Sequence, residues 1–165
     1  MRLSIGNTVV YPSQGPCRID HVTRRVIGGK AILFYQLVVL DDHRGELFIP
    51  IDKAQTVGVR QLLARSEIPK LLDHLKTATG KDDWKQRALD NSRRFASGQA
   101  FDIAKVVGSL TGRKRTKVLS LSESRILERA KRLLICEVSE VMGETRTAAE
   151  EQIDKALEAR KPNRN

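Results

Sequence analysis

The chain has 165 residues, of which 40% are hydrophobic, enough for a core and too many for a disordered segment. Its 30 basic and 20 acidic side chains leave a net charge of +10, which points to a polyanionic partner, nucleic acid ahead of a membrane surface. Aromatic residues make up only 4%, too few for a single-strand stacking platform, and no apolar run reaches the about 18–20 residues of a membrane span.

Residues 1–60 read as strands. "TVVYP" is β-branched and aromatic, "CRIDHVTRRVI" alternates in part, and "KAILFYQLVVL" is long and apolar. Gly28 and Gly29 stand between the second and third runs, where a tight hairpin turn needs two residues with positive φ. "DDHRGE" (41–46) marks another turn. "LFIPI" (47–51) is a short strand that Pro50 confines to an edge or brings to an end. Four or five strands in so short a stretch suggest a small, strongly bent sheet or barrel.

From about residue 60 the apolar period changes to 3.6, predicting about five helices. Ser66 is positioned to cap a helix through "EIPKLLDHLKT", with Pro69 in its first turn. Asp82 or Asp83 caps a helix from Trp84 to about Ser97 that Gly98 closes. "FDIAKVVGSL" (101–110) is a third. Ser120 and Glu123 form a capping box before a long helix with the stripe Ile126, Ala130, Leu133, Leu134, Val138, Val141 and Met142. Thr147 and Glu150 repeat the pattern before Ile153, Ala156 and Leu157. The fold class is α+β in two domains, 1–60 and 61–160, with a frayed tail over 161–165.

The charge is uneven. Residues 1–60 carry 8 basic and 5 acidic side chains, residues 81–117 carry 10 and 4, and residues 137–158 carry 2 and 7. Arg113, Lys114, Arg115 and Lys117 crowd the "TGRKRTK" loop (111–117). Such a run reads either as a solvated face or, since like charges so close repel, as a contact for a phosphate backbone.

Signals of catalysis are absent. His21, His43 and His74 are scattered, no Cys/His pair has zinc spacing, and no phosphate loop or nucleophile elbow occurs. Asp41 and Asp42 beside His43 are explained by a turn. Cys17 and Cys136 suit two buried thiols in a reducing compartment. The reading is a non-enzymatic, cytoplasmic protein of bacterial type without cofactor or metal.

Three stretches resemble a known family. "IGNTVVYPSQGPCRIDHV" (5–22), "FIPIDKAQTVGVRQLL" (48–63) and the single Trp84 followed by Arg87 look like signatures of the CarD/CdnL bacterial transcription regulators. The first half is similar to the polymerase-interacting module of transcription-repair coupling factors too. The resemblance implies a Tudor-like β domain that binds the β subunit of RNA polymerase. It also implies a compact helical domain on promoter DNA near the upstream edge of the bubble, where Trp84 would act as a minor-groove wedge that stabilises the open complex. Arg24, Arg25 and Ile27 before the Gly-Gly turn, with Phe48, Ile49 and Pro50, are the polymerase-binding candidates, by addition of a partner strand to a free sheet edge; the lesser alternative is a plain hairpin and edge strand. Some members carry basic residues at the positions of Phe48 and Leu89, so one polymerase ion pair and one DNA contact differ here.

Trp84 itself allows two readings. As core it would share a stripe with Ala88 and Phe95. As a wedge at the first helical position it would reach past the helix end. Lys85 and Arg87 would then grip phosphates beside it, and Arg93, Arg94 and the 113–117 cations would add contacts. The chain is expected to be a monomer. The competing function is a basic RNA- or ribosome-associated module.

Overall fold

The alternating, β-branched first third of the chain does form a sheet. The computed structural model describes residues 3–41 and 45–161, and the chain divides into two units, Met1–Leu62 and Leu63–Asn165. In the first unit, β1 (Thr8–Tyr11), β2 (Gly15–Ile27), β3 (Lys30–Val39), β4 (Glu46–Pro50) and β5 (Arg60–Gln61) form one antiparallel sheet in the order β4-β3-β2-β1-β5. Gly28 and Gly29, at φ 57° and 79°, turn β2 into β3 with Ile27 opposite Lys30. The turn expected over 41–46 falls partly on residues 42–44, which lie outside the described residues, as His43 does.

Two features of the sheet shape its surface. The pairing of β2 with β3 shifts between Ile19 and His21, a bulge that bends the hairpin. One face buries Cys17, Ile19, Tyr35, Leu37, Val39 and Ile49 against Val9, Ala54 and Val59. Past the bulge that cover ends, and Val22, Val26, Ile27 and Leu33 are exposed. Within β2, β1 pairs only with Gly15–Arg18, so the outer half of β2 has β3 as its sole strand partner among the described residues. β4 is an edge, and Pro50 ends it where a missing N–H disturbs the ladder least. Ile51 begins a 3-10 turn (Ile51–Lys53) that runs into the four-residue helix α1 (Ala54–Val57).

The second unit packs α2 (Ile68–Thr77), α3 (Trp84–Ser97), α4 (Ala100–Lys114), α5 (Leu121–Met142) and α6 (Arg146–Glu158) around one core. Leu71, Leu75, Phe95, Val107, Leu134 and Ile153 represent the five helices in it. In α5 the expected stripe is buried at Ala130, Leu134 and Val138, with its other members partly buried against the same core. None of the described helices is long and apolar enough to cross a membrane.

Three element boundaries differ from the sequence expectation. Ser66 caps nothing: Arg65–Glu67 is a 3-10 turn, and the Glu67 carboxylate accepts from the Ala64 N–H at 3.1 Å. Thr145, not Thr147, caps α6, its Oγ1 accepting from the Ala148 N–H at 3.1 Å. α5 stops at Gly143, and Ser139 Oγ donates to the Glu144 carbonyl at 2.6 Å, so the chain reverses at once and the first capable residue takes the cap. α4 runs four residues past Leu110, which makes half of the expected 111–117 loop helical. Gly112 permits this. A Cβ there would stand 2.7 Å from Arg160 Nη2, so a larger residue would push that guanidinium off the Leu75 and Ala78 carbonyls.

Candidate nucleic-acid interface

α3 has a locally specified start. Asp83 Oδ2 accepts from the Gln86 N–H at 3.1 Å, which makes Trp84 the first helical residue. Of the two residues offered as caps, Asp83 fills the role. The buried line on α3 is Arg87, Asn91 and Phe95, spaced four apart. Trp84 is 65% exposed and Ala88 is exposed too, so the core reading of the tryptophan is excluded. Helical side chains lean toward the N-terminus, and at the first residue that direction leads past the end of the helix. Lys85 Nζ lies 5.5 Å from the indole centroid. Lys85, Leu89 and Arg93, also four apart, line an exposed side of α3, with Leu89 57% exposed.

Arg87 is a correction to the sequence reading. It points inward, 7% exposed, with Nε 2.7 Å from Glu123 Oε2. Its Nη1 donates to the carbonyls of Lys81 and Asp82 at 3.2 and 2.9 Å. It therefore grips no phosphate; it fastens the approach to α3 onto α5 and so fixes the ground from which Trp84 projects. Glu123 does two jobs. It completes the capping box of α5, exchanging bonds with Ser120 at 3.1 and 3.3 Å, and it neutralises Arg87. Burial alone would raise its pKa, but the bonds from Arg87 and Ser120 outweigh it and hold the carboxyl below its usual range. Sequence reasoning found Glu123 as a cap and missed it as an anchor.

The other basic candidates separate on inspection. Arg115, an exposed residue, donates to the carbonyls of Leu157 and Arg160 at 2.5 and 3.1 Å, closing the end of α6. Arg160, only 5% exposed, donates in turn to the carbonyls of Leu75, in the last turn of α2, and of its C-cap Ala78. Burial, then the charge of Arg115, lower its affinity for the proton. Lys114 and Lys117 are exposed, Arg94 and Arg113 half-buried. A cavity of about 440 Å³ gathers Arg113 and Lys117 with Lys81 and Lys161, over Gly80 and Gly112. The sequence places Lys161 in the expected frayed tail, whose residues 162–165 lie outside the described residues. Lys81 stands in the same polar stretch as Trp84, a signal that could have found it.

In the sheet unit, Arg25, Ile27, Phe48 and Pro50 lie on one face by register, and the Arg25 guanidinium sits 4.6 Å from the Phe48 ring centroid. Phe48 is 41% exposed on the edge strand. Arg24 lies on the opposite face, beside Leu33. Ile49 is 3% exposed and belongs to the core, so only its backbone is open to a partner; this corrects its inclusion as a contact side chain. Among the described residues, no group of three or more His, Cys, Asp or Glu side chains could hold a metal ion.

Comparison with known proteins accounts for both units. Residues 67–154 match the family described as CarD, C-terminal domain, and residues 3–63 match the CarD-like/TRCF RID domain. YdeB of Bacillus subtilis (strain 168), named as a candidate transcription factor, is 27% identical over 148 residues, covering 86% of this chain and 93% of that protein. The solution NMR structure of the 72-residue N-terminal domain of Myxococcus xanthus CarD is 28% identical over 36% of this chain and 79% of its own, with a TM-score of 0.31.

Proposed function

The chain belongs to the CarD family of transcription factors, and from that premise we propose that it regulates transcription by holding RNA polymerase and promoter DNA together at the open complex. The sheet unit takes the β subunit of polymerase, a partner strand adding to β4 while Phe48 and Arg25 give selectivity. The helical unit takes promoter DNA near the upstream edge of the bubble. Trp84 enters the minor groove there, and Lys85 and Arg93 contact phosphates along α3. The protein performs no bond chemistry; it changes the lifetime of a state that polymerase makes.

The observation that carries this reading is the exposure of the single tryptophan. An indole 65% open to water at the first residue of a capped and anchored helix has no structural purpose in the bundle. An apolar wedge must be held rigidly, because unstacking a base step costs a few kcal/mol and a loose side chain would fold back. Asp83 and Arg87 supply that rigidity. The test is the lifetime of open complexes, challenged with competitor, on a promoter whose bubble collapses quickly. Added protein is expected to lengthen it. An unchanged lifetime, with the protein bound to polymerase, would contradict the reading.

A further inference from the structure

We propose that the cavity between Lys81, Arg113, Lys117 and Lys161 is a phosphate site, shaped for a di- or triphosphate group or for neighbouring phosphates of a nucleic-acid chain. The four cations come from three segments: the approach to α3, the end of α4 with the turn after it, and the residue beyond α6. Among the described residues, none of the four has a carboxylate partner, and Asp82 is the one acid lining the cavity. Arg113 Nε is buried without a hydrogen-bond partner. Cations at the end of α4 complement the helix dipole, which explains Arg113. It does not explain why Lys81 and Lys161 converge on the same hollow. Arg87 and Arg115 also line it; Arg87 is paired with Glu123, and Arg115, bound to carbonyls only, adds positive field. Like charges drawn together around a space are stabilised by an anion that fills it. About 440 Å³ lies within the size range of small-ligand sites. Gly80 and Gly112 carry no side chain to obstruct it.

The site is separable from the wedge, since Arg87 is the one lining residue on α3 and its side chain is tied to Glu123. The experiment is a calorimetric titration of the full chain with sodium tripolyphosphate at constant ionic strength. One saturable site is expected. Lys117→Gln and Lys161→Gln should each weaken it roughly fivefold or more, as loss of a charge-assisted hydrogen bond does. Lys70→Gln removes the same charge from an exposed position on α2 outside the cavity and should change it by less than about twofold. Thermal melting of each variant checks that the bundle is intact. Non-saturable binding, or equal weakening by all three substitutions, would overturn the proposal by reducing the effect to bulk charge. A duplex arm identifies the source: displacement of duplex DNA by tripolyphosphate assigns the site to the backbone, and simultaneous binding assigns it to a free anion.

Discussion

Arg87 stands three residues from Trp84 in the most polar stretch of the chain, and its guanidinium is among the best-satisfied groups of the fold. Local sequence could not reveal this, because its partner Glu123 lies 36 residues away and is recruited by tertiary packing. Trp84 shows the converse. The helical period puts it in line with Phe95, and only its place at the helix start leaves it in water. The Arg87–Glu123 pair predicts a specific acid sensitivity. The folded Glu123 carboxyl lies below its unfolded value of 4.5, so its contribution is complete above about that pH and is lost as pH falls through the folded value. Glu123→Gln should cost about 1–3 kcal/mol at neutral pH, since it leaves Arg87 without its counter-charge. The variant should then lose less stability than the parent on acidification. Urea unfolding at pH 7 and pH 3.5 measures both; parallel losses in the two proteins would place the acid-sensitive group elsewhere.

Elements with one strong local signal were legible. The Gly-Gly hairpin, the edge placement of Pro50, and the caps of α3 and α5 each rest on residues within four positions of one another. Legibility failed where neighbours competed or where distant packing decided. Thr145 and Thr147 both had the chemistry to cap α6, and the abrupt end of α5 chose the first. α4 outran its expected end because Gly112 accepts the close approach of Arg160, which no pattern near residue 112 announces. The edge strand β4 gives the prediction at this scale. Phe48→Asp puts a carboxylate under Arg25 on an exposed position, so the sheet should remain folded. It replaces an apolar contact with a charge that a partner must desolvate. Affinity for polymerase is expected to fall about tenfold, a change of about 1.4 kcal/mol, while binding to free DNA is unaffected. Unchanged polymerase affinity in the folded variant, read by surface plasmon resonance, would move the interface off this edge.

For the whole molecule, two separate hydrophobic cores, one under the sheet and one among the helices, match the change of period near residue 60. The family was legible from its sequence signatures. The division of basic residues between structural and solvent-facing roles was not, since Arg87 and Arg160 differ from Lys85 and Lys117 only in what the fold brings to them. The central claim is that an exposed tryptophan acts on DNA and not on the fold. It is tested most directly by measuring thermal unfolding and open-complex lifetime on the same Trp84→Ala protein, with folded concentrations matched. The expected result is a melting temperature close to the parent's and a lifetime shortened roughly five- to hundred-fold, the loss of about 1–3 kcal/mol of base–aromatic contact. A large fall in melting temperature with a normal lifetime would contradict the account and return Trp84 to a structural role.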